Sequence, residues 1–231
     1  MEKTPNNVLQ FPTAARDDSG RLLIPARLLE ARIAKMMTQT DLASRIGVSR
    51  QAVSSYEAGL KLPEAETMYA MANVLEQPVA FFTRGDLPSF GPASANFYRK
   101  VGADTKRRNL ACDKFSDWLG QTAFVFDKAV NYPEVNLPSF EPSSQSSNRY
   151  SDDEIEDIAE KVRDHFGLGL GPISNVVRLL ESKGVIVSRV AIKGEKIEAF
   201  SFWRGDRAFV FLASDKDSAA RSRLDAAHEL G

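Results

Sequence analysis

One cysteine, Cys112, stands among 231 residues, so the chain has no intramolecular disulfide and nothing in it calls for an oxidising compartment. A lone cysteine of this kind is read as a small buried apolar side chain. Long hydrophobic runs are missing too: nothing approaches the roughly 20 apolar residues of a membrane span, and Met1 to Gln10 lacks the core of a signal peptide. These absences predict a cytoplasmic protein with no membrane partner. An excess of one charge is also lacking, since 30 Lys and Arg face 31 Asp and Glu. Residues 1–85 hold 10 basic and 9 acidic side chains, whereas residues 131–231 hold 13 and 17. A near-neutral first region excludes binding of a polyanion by bulk charge, so any such contact must come from a few placed groups.

What is present is ordinary folded-protein composition, 43% hydrophobic and 26% charged, at a length that suits one or two domains. Residues 1–20 read as a mobile tail. A compact helical region follows over 21–84. Pro25 suits a first helical position, with Leu28, Ala31 and Ala34 or Lys35 on one face. Thr38 caps a second helix, Gln39 to Ile46, which Gly47 ends; Ser49 caps a third that runs to about Ala58. A fourth, Glu64 to Leu75, is expected to be buried through Met68, Met71, Ala72 and Leu75, and Val79 to Phe82 form a short fifth turn.

Residues 85–131 read as a connector containing a helix, Asp104 to Ala129, with Phe115, Trp118, Leu119, Thr122 and Phe126 near one face. A Pro- and Ser-rich linker spans 132–150. In 151–231, Ser151 and Glu154 make a capping box for a helix striped by Ile155, Ile158, Ala159, Val162 and Phe166. A helix over Ile173 to Lys183 comes next. Strands are expected over Val185 to Val190, Lys196 to Trp203 and Arg207 to Leu212, and Ser218 caps a last helix.

The segment Gln39 to Glu57 has the spacing of two short helices around a glycine turn. Leu42, Ala43, Ile46, Val48 and Val53 face inward, which leaves the start of the second helix free to enter a DNA major groove. Ser49 caps that helix and joins its contact set, while Arg50 and Gln51 occupy the exposed first turn. Arg pairs with guanine O6 and N7, and Gln with adenine N6 and N7. Ser54 and Ser55 reach base edges or phosphate, Gln39 suits a phosphate oxygen beside unpaired helix amides, and Lys61 adds a second clamp.

These residues resemble the XRE family of lambda-repressor-like domains through Thr38-Gln39, Leu42-Ala43, Gly47-Val48-Ser49, Tyr56-Glu57-x-Gly59 and Gly59-x-Lys61-x-Pro63. The resemblance implies a pairing of Arg32 with Glu57. One departure is Met36-Met37, where the family often places a glycine before an apolar residue, so the turn after the first helix is expected to differ in shape.

At the other end stand His228 and Glu229, the opening of an HExxH pattern in which two histidines four residues apart hold zinc and the glutamate acts on its water. Residues 155–231 resemble the ImmA/IrrE family of metallopeptidase-like domains through Phe166-Gly167-Leu168-Gly169, Gly171-Pro172-Ile173, Leu179-Leu180-Glu181-x-x-Gly184-Val185-x-Val187, Ala199-Phe200-Ser201, Phe209-Val210-Phe211-Leu212 and Arg221-x-Arg223-x-Asp225-x-Ala227-His228-Glu229-Leu230-Gly231. The resemblance implies His228 as first zinc ligand and Glu229 as general base in a complete form. The second histidine and the later carboxylate ligand are not in this sequence, so the expectation for this chain is no bound zinc and no peptidase activity. His165 reads as a structural histidine.

The reading is therefore α+β overall: an all-α five-helix lambda-repressor-like domain, a helical connector, and an incomplete zincin-like domain with a small sheet. The expected function is a sequence-specific transcriptional regulator, acting as a repressor and binding double-stranded DNA as a homodimer at an inverted repeat. Two alternatives stay open: a zinc-dependent endopeptidase of a regulatory protein substrate, targeted by the helix-turn-helix, and an antitoxin-like DNA-binding protein.

Overall fold

The computed structural model describes residues 22–94, 97–98, 105–140, 150–190, 199–213 and 219–230. The expected tail, the Ser-rich part of the linker, the start of the strand expected from Lys196 and the Ser218 cap lie outside the described residues. What is described divides into two compact units, one drawn from residues 1–89 and 100–130, the other from 90–99 and 131–231. No helix among the described residues is long and apolar enough to cross a membrane.

The first unit is helical: α1 (Pro25–Ala34), α2 (Gln39–Ile46), α3 (Arg50–Glu57), α4 (Ala65–Leu75), α5 (Val79–Thr83) and, further along the chain, α6 (Thr105–Phe126). Each of the first five gives the core a side chain with no exposed surface: Leu28, Leu42, Val53, Met71 with Leu75, and Phe82. The 3.6-residue spacing of these positions gathers them on one face of each helix, and apolar burial holds the bundle together. The start of α1 is tied to α5, where the Ile24 N–H donates to the Phe82 carbonyl at 2.8 Å.

The α1 turn shows how the bundle tolerates an unfavourable residue. Met36 adopts a left-handed backbone, φ 55°, at the position expected to distort the turn for want of a glycine. The turn keeps the conformation that glycine adopts most cheaply, and a side chain there costs about 1–2 kcal/mol. Neighbouring contacts hold it: the Met36 N–H donates to Ile33 O at 2.8 Å and the Met37 N–H to Arg32 O at 3.1 Å.

The connector reading of residues 85–131 gives way to a division between the two units. Helix α6 packs on α1. Its buried side chains are Ala111, Cys112, Ser116 and Ala123, whereas Thr122 is exposed and Phe126 is 38% exposed. The large residues expected to form the apolar face thus yield to small ones, because small side chains let two helices approach closely. Trp118 lies beside that seam and donates its indole N–H to Glu30 on α1 at 2.7 Å, with Phe81 at 5.5 Å and Phe115 at 5.4 Å edge to face. Glu30 also receives the guanidinium of Arg27, a buried cation that further donates to the Arg84 and Gly85 carbonyls and pairs with Asp86 at 3.2 Å.

The second unit contains α7 (Asp152–Phe166), α8 (Val176–Ser182), α9 (Ala219–His228) and a four-stranded sheet of β1 (Phe97–Tyr98), β2 (Ile186–Val190), β3 (Ala199–Arg204) and β4 (Arg207–Ala213). Strand order is β1-β3-β4-β2, with β2 parallel to β4 and the other pairs antiparallel. Its edge strand β1 comes from residues expected to be connector. Strand alternation sorts the faces. Phe200 and Phe202 of β3 stack on Phe211 and Phe209 of β4 at 4.7 and 4.9 Å, while Ala208, Val210 and Leu212 point the other way and join Val176 and Leu180 of α8 and Ala226 of α9 in a buried core.

Val135 and Leu137, inside the expected linker, pack against that core. Gly184 shows why the chain passes there: at φ 83° its Cα lies so close to the Glu134–Val135 backbone that a Cβ would collide with it. The Asn136 N–H then donates to the Lys183 carbonyl at 2.9 Å. The first residues of the linker are therefore part of the domain. Helix α8 starts later than expected, at Val176, because the Asn175 side chain caps it by accepting from the Arg178 N–H at 3.0 Å.

Candidate DNA-binding surface

The turn between α2 and α3 is built by three consecutive residues. Gly47 ends α2 in a left-handed conformation, φ 71°, and its neighbour Val48 sends its N–H back to the Ala43 carbonyl at 3.0 Å. Ser49 then starts α3, its hydroxyl oxygen accepting from the Ala52 N–H at 3.1 Å. At the start of α2, Thr38 and Asp41 satisfy each other's backbone amides in a full capping box.

Burial of Val53 and Tyr56 turns the opposite side of α3 outward. Ser49, Arg50, Gln51 and Ser54 are all exposed there, so an arginine and a glutamine stand on the first turn of a projecting helix with their donors uncovered. Ser55 is half-buried, and its hydroxyl donates to the Gln51 carbonyl at 2.9 Å, which leaves it only as an acceptor for outside groups. Lys61 lies exposed beyond the end of α3.

Glu57 is the hub that fixes α3 against the other two helices. Arg32 of α1 donates to it through Nε at 2.5 Å and Nη2 at 2.9 Å, a two-pronged pair, and its third nitrogen reaches the Met37 carbonyl at 2.8 Å. Both side chains are largely buried, at 13% and 7% exposure. Gln39, expected to be free for phosphate, instead donates its amide to Glu57 at 2.9 Å. Its role shifts from a loose contact to a braced one, with one amide N–H given to Glu57 and the second N–H and the amide oxygen left for other partners.

Sequence reading also passed over Arg107 on α6, which lines one groove of about 570 Å³ together with Arg50 and the residues that begin α2. The available signal was the run Lys106-Arg107-Arg108 in a segment treated as a connector.

The second candidate site does not assemble. His228 closes α9 with its side chain exposed, and Glu229 follows it half-buried. Burial raises the Glu229 carboxyl above its usual range, opposed by a hydrogen bond to Ser201 on β3 and by the nearby His228. Its carboxylate is thus engaged with the sheet. No group of three or more metal-ligating side chains occurs among the described residues, and His165 is bonded to Asn136 at 2.8 Å. A catalytic zinc takes three protein ligands, and His228 alone supplies one imidazole among the described residues.

A short capped turn, a helix held outward by a buried ion pair and uncovered Arg and Gln donors on its first turn together have the geometry of a helix-turn-helix domain. Residues 28–82 match the family model described as helix-turn-helix. Over 59 residues the chain is 29% identical to an uncharacterized HTH-type transcriptional regulator, YqaE, of Bacillus subtilis (strain 168), a stretch that covers 26% of this chain and 51% of that protein. The chain spans about half the length of the curated relative it matches. No solved structure matches it.

Proposed function

We propose that the chain is a sequence-specific transcriptional regulator that binds duplex DNA through α3. The observation that carries this reading is the exposed pair Arg50 and Gln51 on the first turn of a helix whose orientation is set by the Arg32–Glu57 pair. One such helix reads only a few base pairs, so the protein binds as a homodimer at an inverted repeat, where occlusion of a promoter makes it a repressor. Ser49, Ser54 and Lys61 supply flanking contacts.

Selection of duplexes from random sequence by the full chain is expected to enrich an inverted repeat at moderate salt; an unenriched pool would overturn the reading. Within the enriched site, Arg50→Ala and Gln51→Ala each relax preference at their own base pair by about 1–3 kcal/mol. Lys61→Ala weakens all duplexes alike.

The second unit is the regulator's accessory module, and its metallopeptidase-like reading rests on the residue pattern of 155–231. We derive no zinc chemistry through His228 and Glu229, because one imidazole is fewer than the three protein ligands a catalytic zinc takes. The endopeptidase and antitoxin alternatives gain no residue from the geometry.

A further inference from the structure

We propose that α6 is part of the DNA-binding surface, with Arg107 holding a backbone phosphate of the same duplex whose bases Arg50 reads. The inference rests on the DNA-binding reading above and extends it beyond the five helices that the family model spans.

The groove carries it. Arg107 of α6 and Arg50 of α3 line one concavity of about 570 Å³, floored by Met36 and by Thr38, Gln39 and Thr40 at the beginning of α2. Arg50 belongs both to this groove and to the exposed turn of α3. A duplex whose major groove, about 12 Å wide, receives that turn must run its backbone past the groove's rim. Arg107 is exposed, and among the described residues its charge acts on Asp41 without a hydrogen bond or ion pair between them. A long, exposed cation that no described acceptor holds by a hydrogen bond, in one groove with Arg50, meets the chemistry of a phosphate oxygen.

The acidic groups nearby are already engaged. Asp41 accepts from the Thr38 amide at 2.8 Å and from the Thr38 hydroxyl at 2.7 Å. Those bonds hold its carboxyl below the usual range, and the charges of Arg107 and Arg45 add to the effect. Glu57 is neutralised by Arg32 and further bonded by Gln39. Glu57 is thereby left no room to claim Arg107, and Asp41 meets Arg107 through charge alone.

The position of α6 is not incidental either. Its packing on α1 and the Trp118–Glu30 bond fasten the helix to the domain that carries α3. The backbone that carries Arg107 is held in place before DNA arrives, which leaves only the side chain to be ordered on binding.

The test uses the full chain and the duplex it selects. For Arg107→Ala the slope of log K against log salt is expected to fall by about 0.9, the release of one phosphate's counterions, which amounts to roughly an eightfold affinity loss near 0.1 M salt. The loss should be uniform across single-base variants of the site, and Arg107→Lys should recover most of it. Ethylation of one phosphate should weaken the wild type and leave Arg107→Ala unaffected. Thermal unfolding of the variant, compared with wild type, shows whether it folds. An unchanged slope in a folded variant overturns the inference while leaving the DNA-binding reading intact. Relaxed base preference in place of a uniform loss makes Arg107 a base contact and overturns it as well. Stabilisation of wild type but not Arg107→Ala by inorganic phosphate, with DNA affinity equal in both, makes the groove a small-anion site instead. If the wild type selects no duplex at all, the parent reading and this one fall together.

Discussion

Helices α2 and α7 begin and end in the same way, yet only one of them is buried. Each opens on a full capping box, Thr38 with Asp41 and Ser151 with Glu154, and each closes on a left-handed glycine, Gly47 and Gly167. Their apolar stripes meet different fates. Leu42 and Ala43 of α2 are at 0% and 3% exposure, whereas Ile155 of α7 remains 53% exposed and only Phe166, at the far end, is buried. Local chemistry specifies where a helix starts and stops; whether its apolar face is covered depends on which elements surround it. α2 lies against α3 and α4. The contrast separates a helix that is integral to a core from one whose helicity rests chiefly on its caps.

The largest expected effect breaks the pair apart. Leu42→Ala should destabilise the first unit by about 2–5 kcal/mol, since it empties a fully buried position, whereas Ile155→Ala should lie within about 0.5 kcal/mol of wild type. Chemical denaturation followed by far-ultraviolet circular dichroism measures both. A comparable cost at Ile155 would show that α7 is covered in solution.

A smaller effect should make the two helices alike again. Thr38→Ala and Ser151→Ala each remove one side-chain acceptor from an exposed helix start and are expected to cost about 1 kcal/mol apiece. Hydrogen exchange of the first-turn amides reports the loss locally in each unit. Unequal losses would mean that tertiary contacts, and not the cap alone, hold one of the two starts.

The smallest effect concerns the carboxyl end of the second unit. Folding raises the Glu229 pKa through burial, so the protonated form is favoured in the folded state. The stability this contributes is complete below the unfolded pKa and is lost as pH rises through the folded one. Glu229→Gln, which keeps the shape of the protonated acid, should therefore stabilise the second unit at neutral pH and lose that advantage in acid. Melting curves at pH 7 and pH 4 measure the difference; an advantage that grew toward acid would reverse the assignment.

Much of the candidate site was legible because its signals are local. Thr38, Gly47 and Ser49 set the helix ends, and the inward Val48 and Val53 decide which side of α3 faces out. What escaped was long-range. Gln39 looked free because Glu57, eighteen residues away, is invisible in a local pattern. Arg107 looked like part of a connector because nothing near it in sequence says that α6 lies on α1. The buried face of α6 was misassigned for a related reason: size and hydrophobicity pointed to Phe115 and Phe126, while close helix packing selected Ala111, Cys112 and Ser116.

By itself, then, the sequence determined the ends of α2 and α3, the three-residue turn and the outward Arg50 and Gln51, because capping and periodicity act within a few residues. Only the tertiary structure decided that Glu57 braces both Arg32 and Gln39, that residues 97–98 form an edge strand for β3, and that Glu229 turns to Ser201. Those outcomes depend on groups brought together from distant parts of the chain, where burial makes each hydrogen bond and charge count according to its surroundings and not its neighbours in sequence.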